Sequence, residues 1–132
     1  MPAYLSLGDV LALHREVMRR LGADATPLRD EGLLESAVMS PRMAAHYEGS
    51  DLIRQATLLA VGISQAQAFL DGNKRTAYLA TVVFLLINDA DFVGEPLEFA
   101  RCLEHVAEQS EDRATAIGEL EEWLRAYVVP SA

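Results

Sequence analysis

Apolar residues recur along this chain at helical rather than strand spacing. Val10, Leu13, Val17 and Leu21 stand three or four positions apart, the stripe of a helix lying on a core. Ser6 and Asp9 resemble a capping box, with Asp in place of the usual Glu, and Gly22 supplies a C-terminal stop. A polar stretch with Pro27 leads to a short helix, roughly residues 30–39, which Pro41 should end. Residues 40–50, SPRMAAHYEGS, show no clear period and read as a loop or a short extended flap. Asp51 can cap a helix running to about Gln65, with Ile53, Ala56, Leu59, Ala60 and Ile63 on one stripe.

The segment from residue 76 to 87 is apolar nearly all round, which predicts a central helix buried by its neighbours. Asn88, Asp89 and Asp91 terminate it. Pro96 suits the first turn of another helix, with Phe99, Cys102, Leu103 and Val106 facing inward. The pattern breaks between Ser110 and Thr115, and a last helix, about residues 114–128, presents Ile117, Leu120, Leu124 and Tyr127. No segment alternates as a strand does, and there is no internal repeat. The expected fold is all-α: one domain over residues 1–132, with five or six helices around a central one.

Composition narrows the function classes. The chain has 132 residues, 51% hydrophobic and 23% charged, an ordinary globular balance. A net charge of −9 disfavours nucleic-acid binding, which needs clustered Lys and Arg. One cysteine, Cys102, excludes an internal disulfide and a multi-cysteine metal site. The start MPAYLSL lacks a charged region followed by a long apolar one, so no secretory signal is expected. The apolar run Ala77 to Ile87 is 11 residues, against the ~20 needed to cross a bilayer. A cytoplasmic protein without membrane contact is the expectation.

Candidate chemistry concentrates in Gln67-Ala-Phe-Leu-Asp-Gly-Asn-Lys-Arg75, just before the apolar segment. Asp71, Gly72 and Asn73 alone are ordinary turn residues. Lys74, the only lysine, and Arg75 open the following helix, where two cations oppose the dipole. Their presence is easier to understand if an anion sits there. Free N–H groups and the positive helix end suit a phosphate, and Asp71 offers a carboxylate for a divalent cation. Phe69, between polar neighbours, reads as an anchor from inside.

The stretch resembles the Fic/Doc (Fido) signature His-x-Phe-x-(Asp/Glu)-(Gly/Ala)-Asn-x-Arg. With Leu13-His14 in the first helix and an apolar helix after Asn73-Lys-Arg-Thr-Ala77, the wider pattern resembles the Doc (death-on-curing) toxin branch. The resemblance implies transfer of a phosphate-containing group from a nucleotide to a target hydroxyl: AMP in typical Fic proteins, the γ-phosphoryl of ATP in Doc. It implies that Asp71 holds a Mg²⁺ bridging the phosphates. It assigns the backbone amides of Gly72, Asn73 and Lys74 to an anion-binding nest, and phosphate neutralisation to Arg75. AMP-transferring members carry Gly-Asn-Gly-Arg with a second arginine three residues later; this chain has Lys74 and Tyr78 there. Both departures favour the Doc-like kinase, whose implied target is elongation factor Tu. Gly72, where Doc has alanine, leans mildly toward AMP transfer.

Where the family has its catalytic histidine, this chain has Gln67. An amide cannot accept the hydroxyl proton at any relevant pH, so an activity loss of ~10²–10⁴-fold is expected. Positioning and charge neutralisation, which matter most in phosphoryl transfer, survive. His14, on the stripe of Val10 and Val17, reads as a satisfied, partly buried histidine. His46, in the flap, is a minor candidate for a substitute base, and His105 reads as solvated surface. The acidic run at Glu119, Glu121 and Glu122 reads as an exposed face, with Trp123 at the core edge or a partner contact.

The family's self-inhibiting segment, Ser/Thr-x-x-x-Glu-Gly/Asn, is absent: Glu31-Gly32 follows Pro27 and Glu48-Gly49 follows Ala44 at the required spacing. Inhibition by a separate antitoxin protein is the implied alternative, through a segment folding as a helix into an apolar groove. The competing readings are AMP transfer to a protein, a non-catalytic nucleotide- or partner-binding module, and a helical interaction domain without a nucleotide site.

Overall fold

The computed structural model describes residues 2–25, 27–109 and 111–131. Among them lie six helices, α1 (Leu7–Arg20), α2 (Glu31–Glu48), α3 (Leu52–Ala66), α4 (Asn73–Leu86), α5 (Pro96–Glu108) and α6 (Arg113–Ala126). Two three-residue strands, β1 (Ala90–Phe92) and β2 (Val128–Pro130), pair antiparallel, with Ala90 opposite Pro130 and Phe92 opposite Val128. The fold is all-α, as expected, with a small sheet that the sequence pattern does not show.

Local signals set most helix starts. The Ser6 hydroxyl accepts from the Asp9 amide, while the Asp9 carboxylate accepts from the Ser6 amide, which completes the capping box. Asp51 caps α3 by accepting from the Arg54 amide at 2.9 Å. Pro96 occupies the first turn of α5. The break expected from Ser110 begins outside the described residues.

Residues 40–48 correct the sequence reading: they are helical, and Pro41 lies inside α2 rather than ending it. A proline leaves the carbonyl four residues earlier without its helical donor. Here that carbonyl, Ala37 O, accepts from the Ser40 hydroxyl at 2.7 Å, and the Pro41 ring is buried. No flap exists at residues 40–50. His46 consequently stands 15 residues along α2 from Glu31, about 22 Å at 1.5 Å per residue. It packs edge-on against Tyr47 instead of approaching the motif.

The centre of the fold is shared. α3 packs against α2, α4, α5 and α6 and buries Ala56, Leu59, Ala60 and Ile63 almost completely. α4 buries Ala77, Ala80, Phe84 and Leu85, yet leaves Leu86 and Ile87 exposed at its end. Burial of α4 on all sides, expected from its composition, therefore fails at that end. Tyr78, Phe92, Phe99, Trp123 and Tyr127 form an aromatic cluster tying β1, α5 and α6 to α4. Trp123 belongs to the core edge.

Asp51 also joins α3 to α6, through Arg125 Nη1 at 2.8 Å. Hydrogen bonds from Arg125 and from the Arg54 amide hold its carboxyl below the usual range. The folded chain thus favours the ionised form. Its contribution is present above the ordinary carboxylate range and is lost as pH falls through the lower folded value. Asp51→Ala is expected to cost about 1 kcal/mol at neutral pH. That difference from wild type should shrink toward zero in acid, as read from urea unfolding between neutral pH and about pH 3.

Candidate functional site

The motif folds as a tight loop between α3 and α4. Gln67 is the C-cap of α3 in the left-handed conformation, φ 49° and ψ 38°. Its carbonyl is gripped by the Arg29 guanidinium, with Nη2 at 2.8 Å and Nε at 3.2 Å. The Arg29 amide donates to Ala68 O, and Leu28 pairs with Phe69 in an isolated antiparallel bridge. The segment around residues 28–29 therefore lies along the motif.

Two buried groups hold the loop from below. Asn73 closes it on itself: its Oδ1 accepts from the Phe69 amide at 3.2 Å and its Nδ2 donates to Phe69 O at 2.9 Å. Phe69 is 1% exposed, and its ring stacks on His14 with centroids 3.6 Å apart and planes 6° from parallel. His14 Nε2 lies 3.0 Å from Asp71 O. A carbonyl can only accept, so that ring nitrogen carries the hydrogen. His14 is satisfied, as the sequence reading holds, and it is wholly buried rather than partly so. It pins the loop to α1.

Gly72 takes φ 82° as the N-cap of α4, a left-handed turn that glycine adopts freely. A Cβ there would meet Met18 Sδ at 3.1 Å and Val17 Cγ1 at 3.5 Å. The loop sits directly on α1, with little room above glycine at this position.

The groups expected to bind an anion divide. The Gly72 amide donates to Asp71 Oδ1 at 2.8 Å and is occupied within the chain. The amides of Asn73, Lys74 and Arg75 fill the first turn of α4, which has no side-chain cap and no acidic residue. These are the orphan donors of a helix start. The Lys74 ammonium pairs with Glu104 of α5 at 2.5 Å, which pulls the Glu104 carboxyl below its usual range. Gln67 is exposed and folds its side chain back on α3, Nε2 donating to Ser64 O at 2.9 Å. Asp71 is exposed beside the α4 start. Among the described residues no group of three or more His, Cys, Asp or Glu is placed to hold a metal alone.

Lys74 and Arg75 line a cleft of about 430 Å³ between α1, α4 and α5, together with Val17, Tyr78 and Leu97. Gln67 and Asp71 lie outside its lining. Two residues of the site escape sequence reasoning. Arg29 grips Gln67 across 38 positions, and Arg20, at the end of α1, reaches the same cleft. No local pattern marks either one. Away from this loop, His105 pairs with Glu119 at 3.6 Å on the surface. No described helix is long and apolar enough to cross a membrane.

Comparison with known proteins gives a relative and a family. A chain named Toxin Doc from Mycolicibacterium smegmatis is 36% identical over 72 residues, which cover 52% of this chain and 54% of that one. The chain thus spans about half the length of that curated relative. The family model described as Fic/DOC matches residues 4–85, from just ahead of the capped first helix through almost all of α4. That match takes in the whole loop together with His14 and Arg29, so the chain belongs to the Fic/Doc family.

Proposed function

We propose that this chain is a Doc-like toxin built to transfer the γ-phosphoryl group of ATP to a protein hydroxyl. The observation that carries the reading is the first turn of α4: three amides without a cap at a positive helix end, with Arg75 among them and Asp71 just before. Those donors fit a polyphosphate. A single exposed carboxylate fits Mg²⁺, which commonly takes one or two carboxylates and completes its shell with phosphate oxygens and water. Asp71 would hold the metal, while Asn73, Lys74 and Arg75 would hold the phosphates with Gly72 shaping the turn. Bound Mg²⁺-ATP supplies the phosphoryl group and screens its charge.

The relative named Toxin Doc supports the toxin reading, and Lys74 and Tyr78 support the kinase over AMP transfer. An antitoxin protein is the expected partner, elongation factor Tu the expected target, and the cytoplasm the expected location. In the transfer the target hydroxyl oxygen would bond the γ-phosphorus as the bond to the β-phosphate oxygen breaks and ADP leaves, and the hydroxyl proton would pass to a base or to solvent. The Gln67 amide cannot receive that proton, so the present chain is impaired. A second reading, a binding module without catalysis, is favoured by the Gln67 side chain being turned back onto Ser64 O.

Thermal unfolding with and without ATP and Mg²⁺ tests the nucleotide site. A midpoint that rises with ligand concentration supports it, and Asp71→Ala and Arg75→Ala should each abolish the rise. Wild-type protein that gains nothing from saturating ATP and Mg²⁺ excludes the reading. Label from γ- rather than α-labelled ATP on a target separates phosphoryl from AMP transfer.

A further inference from the structure

The cleft beside the motif holds a cation that the motif does not contain. Arg20 projects from the last turn of α1 into the same space as Lys74, Arg75 and Tyr78 of α4. Its Nε donates to Glu16 Oε1 at 3.0 Å, which orients the guanidinium and leaves the two terminal nitrogens without an acceptor among the described residues. Glu16 is shared with Arg19, whose Nε and Nη2 take both of its oxygens at 2.9 and 2.6 Å. The side chain of Lys74 is committed to Glu104. The guanidiniums with free donors on this cleft are therefore Arg75 and Arg20, one on each wall.

The cleft is also joined to the loop. Val17 lines it and stands 3.5 Å from the place of a Cβ on Gly72. An anion on the α4 start thus lies at the mouth of a cleft whose size, about 430 Å³, falls within the range of small-ligand sites. Its walls beyond the cations are mostly apolar: Val17, Leu79, Pro96 and Leu97. Such a surface suits a base and ribose with phosphates at the cationic rim.

We propose that Arg20 is a second phosphate-binding arginine, which reaches across the cleft from α1 to the polyphosphate held by Arg75 and the α4 amides. The inference rests on the nucleotide reading above and deepens it. A guanidinium fixed through Nε presents its two terminal nitrogens as a fork, the geometry that matches phosphate oxygens. The position at Tyr78, where a second arginine would stand on α4 itself, faces the same cleft. Arg20 brings equivalent charge from the opposite wall.

Calorimetric titration of the full chain with ATP and with inorganic tripolyphosphate, both with Mg²⁺, tests the proposal. Arg20→Ala should weaken both ligands by about tenfold to a hundredfold, the loss of charge-assisted bonds. Arg20→Lys keeps charge without the fork and should fall between. Arg20 is exposed at a helix end, so the ligand-free melting temperature should stay at the wild-type value, which separates binding from folding. The salt dependence of ATP affinity should also flatten in Arg20→Ala. Arg20→Ala with wild-type affinity, beside Arg75→Ala that has lost it, overturns the role of Arg20 and spares the nucleotide site. Wild-type protein that binds neither ligand overturns both.

Discussion

Replacing Gln67 by His should raise the rate of transfer to a protein hydroxyl by about 10²–10⁴-fold, the usual worth of a positioned general base. The backbone is ready for it. Gln67 sits at φ 49° and ψ 38°, a left-handed conformation in which His is enriched among non-glycine residues. Arg29 holds that turn through the Gln67 carbonyl, a contact indifferent to the side chain. What the substitution removes is one bond from an exposed side chain, Gln67 Nε2 to Ser64 O, about 1 kcal/mol at most. The imidazole should also bring a pH dependence. It works as a base only when neutral, so the rate should rise through about pH 6.5 and level off above it. The measurement is initial transfer from γ-labelled ATP to target by each variant across that range. Equal rates for Gln67→His and wild type would end the kinase reading and leave the binding module.

Phe69→Ala should cost about 3–5 kcal/mol of folding stability, a large share of the 5–15 kcal/mol typical of a small domain. The ring is 1% exposed and lies flat on His14 at 3.6 Å. Its removal opens a void beneath the loop that α1 cannot fill, because His14 is tied to Asp71 O. The same residue carries both backbone bonds from Asn73 and the bridge to Leu28. Loss of the ring should therefore loosen the start of α4 and abolish ATP stabilisation along with stability. Urea unfolding should show a lower midpoint with an unchanged slope. A cost below about 1 kcal/mol would mean that the loop is held by its own hydrogen bonds and not by the core.

Several features of this fold are readable one segment at a time. The Ser6–Asp9 box, the Asp51 cap and Pro96 at the α5 start act within three or four residues, and local chemistry suffices for them. Pro41 misleads for the same reason. Its local rule is to stop a helix, but Ser40 Oγ satisfies Ala37 O and burial of the ring against the core offsets the rest. The two strands escape because three residues each cannot display an alternation, and Ala90 finds its partner at Pro130. The motif itself stands out in the sequence because its residue types are unusual together. The grip of Arg29 on Gln67, the His14 pin and the place of Arg20 do not. Each joins positions on different elements whose approach depends on how α1, α3 and α4 pack.

By itself the sequence determined that this chain is helical, where most of its helices begin, and which nine residues bear the likeness to the family signature. It also settled that position 67 cannot take up a proton, because that follows from the amide group alone. The tertiary structure decided what those residues face. It turned Gln67 back on its own helix and gave the Gly72 amide to Asp71. It committed Lys74 to Glu104 and brought Arg20 to the cleft of Arg75. The division has one physical cause. Propensity, capping and protonation are properties of a short stretch of chain, whereas the partner of a charge or a carbonyl is chosen only when distant helices close on a shared core.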